Sequence, residues 1–153
     1  MCIIVDTNVI HCVMNQNSSD HTDFKPVYDW VFIGKGKLIY GGTKYLEEIP
    51  VKYLKLIKLL ADAGKAIHVN DEEVDIEERR VNHLLQDDDF DDQHLVGLLI
   101  VSKCKLIASR DKRAYPFFKH TLFFHPARNK PRIYCSIANK DLLCDKYILP
   151  ICT

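Results

Sequence analysis

The sequence lacks the features that mark membrane, secreted or repetitive proteins. None of its apolar runs approaches the ~20 residues that a membrane-spanning helix needs. Residues 1–10 contain no basic segment followed by an apolar one, as a signal peptide would. Glycine and proline occur only six times each, which excludes collagen-like and low-complexity chains. We therefore expect a globular, cytoplasmic protein with no membrane partner.

The chain also lacks net charge and a recognisable metal-binding cysteine pattern. Its 21 basic and 21 acidic residues cancel, so any contact with RNA must come from local patches. The six cysteines include no CxxC pair and no zinc-finger spacing with a histidine. We expect most of them to be small buried side chains rather than zinc ligands or disulfide partners. The absence of a Gly-rich phosphate loop disfavours nucleotide-binding folds.

What the sequence does contain is a regular alternation of strand and helix patterns. Its 153 residues suffice for one domain with its own core, so we take residues 1–153 as a single domain. Short β-branched or apolar runs predict strands at 2–5, 37–40, 66–69, 105–109 and 132–135. Their alternation with helices predicts an α/β fold, a three-layer α/β/α sandwich around a mainly parallel sheet of about five strands.

The helices between these strands have recognisable starts and ends. One is predicted from Pro26 to residue 33, before Gly34, and a longer one from Thr43 to Gly64 with a kink at Pro50. An acidic run at 87–92 precedes a predicted helix at 93–102. Further helices are predicted at 9–14, between 74 and 85, and from about 140 to 147.

Acidic residues lie where the predicted strands end. Asp6 follows the first strand and Asp111 follows the strand at 105–109. Carboxyl ends of parallel strands share one edge of the sheet, and helices carrying Glu48 and Asp92 flank that edge. Clustered carboxylates repel one another and favour a hard divalent cation. The sequence therefore predicts a Mg²⁺ or Mn²⁺ site, with one ion or two, whose ligands and catalytic groups are Asp6, Glu48, Asp92 and Asp111.

Polar and basic neighbours suit such a site. Asn8 can orient Asp6 or a bound water, and the hydroxyls of Thr7 and Ser109 lie beside the acids in sequence. Cations next to an acidic cleft can contact substrate phosphates. The candidates for this role are Arg110, Lys112, Arg113 and Lys44.

Four segments resemble the motifs of PIN-domain ribonucleases, a family that includes many bacterial toxins. They are IVDTNVI at 4–10, TKYLEEI at 43–49, DQHLVGL at 92–98 and LIASRD at 106–111. Their order, spacing and strand or helix context agree with the family from residue 1 to about 118. Within them, Glu47 competes with Glu48 and Asp91 competes with Asp92.

The resemblance implies a PIN-like fold and metal-dependent cleavage of RNA. It further implies the toxin of a toxin–antitoxin or defence system, with an antitoxin protein as partner and a homodimer as assembly. From about residue 119 the chain departs from the simplest members as a C-terminal extension. RNA and DNA remain alternative substrates, because the acid set does not distinguish them.

Other interpretations compete with the nuclease. Asp6 and Asp92 would also serve as helix caps, and Glu48 could pair with Lys52 on a helix surface. A PIN-like module that binds RNA or protein without cutting is the main alternative function. A phosphotransfer receiver or a dehalogenase-like phosphatase is disfavoured, because residues 6–8 lack the second acid that each requires. We expect His94 and the aromatic residues at 115–124 to belong to the core or the surface rather than to the site.

Overall fold

The computed structural model describes residues 1–144 and 150–152. The strands are β1 (Cys2–Val5), β2 (Lys37–Tyr40), β3 (Ala66–His68), β4 (Leu106–Ala108) and β5 (Arg132–Tyr134). The helices are α1 (Thr7–Met14), α2 (His21–Phe32), α3 (Thr43–Glu48), α4 (Val51–Asp62), α5 (Asp71–Leu84), α6 (Gln93–Ser102) and α7 (Tyr115–Phe118). Short 3₁₀ turns occur at Ala127–Asn129, Ile137–Leu142 and Pro150–Cys152.

A five-stranded parallel sheet forms the centre of the molecule and confirms the predicted α/β sandwich. The strand order is β3-β2-β1-β4-β5, so β1 lies in the middle of the sheet. Ile4 pairs with Ile39 on one side and with Ile107 on the other. All three side chains are fully buried. The end of β1, and therefore Asp6, is fixed by strands on both sides.

Helix α6 is apolar on nearly all sides because it lies inside the helical layer, packed extensively on α5. The closest approach is at Gly97, where a Cβ atom would lie 3.0 Å from the backbone nitrogen of Glu78 and 3.1 Å from the carbonyl oxygen of Val74. The absence of a side chain at Gly97 therefore lets α6 pack closely against the backbone of α5. Within residues 1–144 and 150–152, no helix combines the length and apolarity needed to cross a bilayer.

Two of the predicted helices differ from the observed ones. Helix α2 begins at His21 rather than at Pro26, because buried His21 and Phe24 extend its apolar face towards the amino terminus. The helix that begins at Thr43 does not kink at Pro50 but breaks there into α3 and α4. Ile49 is extended (φ −75°, ψ 125°), as steric contact with a following proline ring favours.

The carboxyl-terminal part differs from its prediction as well. The structure has a 3₁₀ turn at Ile137–Leu142 where a helix was predicted from about 140, and residues 145–147 of that prediction lie outside the described residues. Cys2 and Cys152 form a disulfide with Cα atoms 6.0 Å apart, a pairing that the cysteine spacing did not predict. The other four cysteines are unpaired, but only Cys104 of them is buried, whereas most of the cysteines were expected to be buried.

The close approach of α5 and α6 predicts that adding a methyl group at Gly97 lowers the stability of the fold. Gly97→Ala should lower the free energy of unfolding by about 1–2 kcal/mol, because the new Cβ presses on the backbone of α5. Chemical denaturation would measure this change. Alanine has a helix propensity about 1 kcal/mol better than glycine, so an unchanged or higher stability would show that α5 yields to the methyl group.

Candidate metal centre

Three carboxylates meet at the carboxyl edge of the sheet. One oxygen from each of Asp91, Asp92 and Asp111 lies within 4.8 Å of the other two. Asp111 follows β4 by three residues, and Asp92 immediately precedes α6 without making a side-chain capping bond. Capping therefore does not account for Asp92. The sequence leaves Asp91 and Asp92 as alternatives for one ligand position, whereas in the structure both carboxylates belong to the cluster.

Asp6 lies behind this cluster as a buried carboxylate, only 2% exposed. Its Oδ1 accepts a hydrogen bond from the backbone N–H of Asn8 (3.2 Å), and its Oδ2 accepts one from the hydroxyl of Ser109 (2.6 Å). The Ser109 oxygen in turn accepts the backbone N–H of Asp111 (3.1 Å). One hydroxyl thus connects two of the predicted ligands. Asn8 contributes through its backbone rather than through the side chain that the sequence suggested.

Glu48, the last residue of α3, reaches the site from the opposite side. Its Oε2 accepts a hydrogen bond from the hydroxyl of Thr7 (3.0 Å) and lies 3.1 Å from Nε2 of His94. Glu47 and Glu48 are both exposed, but within residues 1–144 and 150–152 the Glu47 carboxylate forms no hydrogen bond or ion pair with another side chain. The contacts of Glu48 favour it over its neighbour. Neither Glu48 nor Asp6 belongs to the tight group of three; both adjoin it.

Burial, together with the neighbouring negative charges, raises the pKa of two of these acids, Asp92 and Asp6. Burial, followed by the charges of Asp6 and Asp91 and then of Asp111 and Glu48, raises the pKa of Asp92 to about 7. Burial also raises the pKa of Asp6, although the hydrogen bond from Ser109 opposes it. These carboxylates repel one another, and a bound cation would compensate their charge. Because the donors are carboxylate oxygens at an open edge, the residues fit a hard divalent cation, though nothing in them identifies which one.

His94 is a buried histidine whose environment the sequence did not reveal. It is 1% exposed, and among the described residues neither ring nitrogen has a partner with hydrogen-bond geometry. Burial lowers its pKa to about 4 despite the nearby Glu48 carboxylate, so the ring is neutral near pH 7. The 3.1 Å approach to Glu48 is therefore a contact between a neutral ring and a carboxylate, not an ion pair. In the sequence, only its position two residues after Asp92 indicates that His94 lies near the site.

The predicted phosphate-binding cations divide into two groups. Arg113 lies beside Asp111: its backbone N–H donates to Oδ1 (3.0 Å), and its largely exposed guanidinium forms an ion pair with Oδ2 (3.4 Å). The Lys44 ammonium donates to the carbonyl oxygen of Asp91 (3.0 Å). Lys112 is exposed on the same loop as Arg113. Lys44 and Arg113 therefore contact the acidic cluster and Lys112 lies beside it in sequence, while binding of phosphate by these cations stays a prediction.

Arg110 behaves differently, because its guanidinium is engaged in the protein. It donates to a carboxylate oxygen of Asp23 (2.6 Å) and to the carbonyl oxygen of Cys135 (3.2 Å), and it lies 4.9 Å from the centre of the Phe24 ring. These contacts join the end of β4 to α2. The placement of Arg110 therefore gives no support to its predicted role in phosphate binding.

The aromatic residues that follow the site pack mainly into the core. Phe117 and Phe118 are buried, and Phe117 stacks on Phe90 with ring centres 4.2 Å apart. The hydroxyl of Tyr115 donates to the carbonyl oxygen of Ser109 (2.7 Å). This segment supports the loop that carries Asp111, which agrees with the predicted core role.

Comparisons with protein-family models, with curated proteins and with solved structures give no match for this chain. Membership of the PIN family therefore stays a hypothesis that rests on the four sequence motifs. The geometry of the carboxylates does not depend on that hypothesis.

The raised pKa of Asp92 predicts how stability changes with pH in the absence of divalent ions. The folded state holds the Asp92 proton more tightly than the unfolded state, whose pKa is near 3.8. Its contribution to stability is complete below that value and is lost as the pH rises through about 7. Thermal unfolding in EDTA should show this fall for the wild type.

Asp92→Asn should unfold with a weaker dependence on pH, because asparagine resembles the protonated acid but cannot lose the proton. Asp88→Asn, a change in the same acidic run but at an exposed position, should follow the wild type. Equal pH dependence in wild type and Asp92→Asn would contradict the assignment to Asp92.

The unpartnered nitrogens of His94 predict an unusual substitution. His94→Leu keeps a similar volume and removes two buried polar atoms that lack hydrogen bonds, so the free energy of unfolding should stay within about 1 kcal/mol of wild type or rise. Denaturation in EDTA would test this. A loss of more than about 2 kcal/mol would instead show that the histidine is hydrogen-bonded in solution.

Proposed function

We propose that this chain is a Mg²⁺- or Mn²⁺-dependent, PIN-like endoribonuclease that hydrolyses RNA phosphodiester bonds at the carboxylate cluster. The observation that carries the proposal is the convergence of Asp91, Asp92 and Asp111 within 4.8 Å at the carboxyl edge of a parallel sheet. A divalent ion held there would offset the negative charge and supply Lewis-acid activation of a phosphodiester and of the attacking water. Acidic side chains alone cannot provide that activation.

The chain's own residues have distinct roles in this proposal. Asp92 and Asp111 hold the cation, with Asp91 as the third carboxylate of the cluster. Asp6 is held rigidly by Ser109 and supports the cluster from the interior. Glu48 has one oxygen engaged by Thr7 and is placed to accept a proton from an attacking water through the other.

In this proposal the cations near the cluster bind the phosphates of the substrate. Arg113 and Lys112 are exposed on the loop after Asp111, and Lys44 lies across the site near Asp91. Cations at these positions suit the phosphates that flank a scissile bond. The preference for RNA over DNA, the toxin role, an antitoxin partner and a homodimer are part of the proposal through the PIN resemblance alone.

Cleavage of a mixed transfer and ribosomal RNA pool in Mg²⁺, Mn²⁺ or EDTA tests the function. Asp92→Asn and Asp111→Asn should each lower the rate by more than about 100-fold, since loss of even an outer-shell partner commonly costs 10–100-fold in metal sites. Both changes keep the shape of the side chain and remove its charge. EDTA should abolish cleavage by the wild type.

Asp88→Asn serves as the matched control, because it removes the same charge from an exposed position in the same acidic run. It should cut at the rate of the wild type. An absence of cleavage, together with no effect of Mn²⁺ on the unfolding temperature, would instead favour a binding module without catalytic activity and contradict the metal site.

A further inference from the structure

The neutral net charge of the chain conceals a strong separation of charge along the sequence. Residues 71–92 contain eleven acidic and two basic residues, whereas residues 103–132 contain nine basic residues and one acid, Asp111. The acidic stretch supplies part of the carboxylate cluster. Only some of the basic residues lie near that cluster, and the function of the others is unassigned.

Four of these cations line one cavity beside β5. The cavity has a volume of about 260 Å³, and its lining consists of Ala127 and the basic residues Lys105, Arg128, Lys130 and Arg132. We call these four cations and the cavity they surround the basic groove. A larger hollow of about 530 Å³ shares Lys130 and Arg132 with it, and its lining includes one further cation, Lys119, and one acid, Asp141. Within residues 1–144 none of the four cations forms an ion pair with a carboxylate.

The strand register places the basic groove at the amino-terminal ends of the strands, whereas the carboxylate cluster lies at their carboxyl-terminal ends. Arg132 begins β5 and pairs with Leu106, the first residue of the parallel strand β4. Lys105 immediately precedes β4, and its ammonium donates to the carbonyl oxygen of Arg128 (3.1 Å). The groove is therefore built at the amino edge of the sheet, and its cations do not belong to the rim of the acidic site.

We propose that the basic groove binds backbone phosphates of single-stranded RNA, as a docking site separate from the carboxylate cluster. The proposal deepens the proposed function and rests on it for the choice of RNA. Cations without a carboxylate partner, brought from two separate stretches of the chain to a concave surface, match a flexible chain of phosphates. Arg128 and Arg132 can each bind a phosphate through two N–H groups. A lipid surface is a poorer match, because a flat membrane does not enter a cavity.

Fluorescence anisotropy with a labelled single-stranded RNA in EDTA measures docking without cleavage. The test variant combines Arg128→Gln, Lys130→Gln and Arg132→Gln. At 0.1 M salt its affinity should fall on the order of 100-fold, and the slope of log affinity against log salt should decrease by about 2, from about 0.7 per lost phosphate contact. Single variants at Arg128 and Lys130 should each decrease the slope by about 0.7.

The matched control removes the same charge from α4, which packs against β3 at the other end of the sheet. It combines Lys52→Gln, Lys55→Gln and Lys58→Gln, three exposed positions. Its affinity for RNA should stay within about threefold of wild type. Equal losses in the two triple variants would overturn the groove, because they would show a general effect of net charge.

Other results would also overturn the proposal. They are a wild-type protein that does not bind the RNA at low salt, and a groove variant that keeps its RNA affinity but loses binding to anionic lipid vesicles. The metal-dependent cleavage assay reports separately on the nuclease. If the groove variant keeps both its cleavage activity and its RNA affinity, the groove proposal is contradicted and the nuclease proposal is not. If RNA binding depends on the groove but the wild type does not cleave RNA, the nuclease proposal is contradicted and the groove proposal is not.

Discussion

A carboxylate at the buried end of the central strand is the constraint on which the site depends. An isolated buried charge is strongly unfavourable, so Asp6 is tolerated only because Ser109 and the backbone of Asn8 hydrogen-bond it. The pairing of Val5 with Ala108 brings Asp6 and Ser109 together at the ends of β1 and β4. The same hydroxyl then accepts the backbone N–H of Asp111. Sheet pairing, burial and the position of a second acid are thus linked through one side chain.

Much of the fold follows from local patterns in the sequence. Short apolar runs separated by helical segments are enough to predict a parallel sheet. The gathering of acids follows from the same logic, because parallel strands all end at one edge. The strand pattern at 105–109 therefore indicates Asp111, and the start of the helix pattern at 93–102 indicates Asp92.

What could not be predicted depends on contacts between residues far apart in the chain. Arg110 lies next to Asp111 in sequence, but Asp23 of α2 holds its guanidinium. The neutral state of His94 arises from burial between packed elements, which no local pattern reports. The sequence predicts a kink at Pro50, but the packing of α3 and α4 on either side determines that the helix breaks there instead. The Cys2–Cys152 disulfide likewise joins the two ends of the chain.

The contacts of Arg110 and Tyr115 have a consequence for the entropy of binding. Loops at the ends of strands are commonly mobile, and a mobile loop loses conformational freedom, about 1–2 kcal/mol per residue, when a ligand orders it. Here Arg110 fixes the start of the loop to α2, and Tyr115 holds Ser109 through its carbonyl oxygen. The loop that carries Asp111 is therefore preorganised before any ligand arrives, and binding at its carboxylate requires little further ordering of the chain.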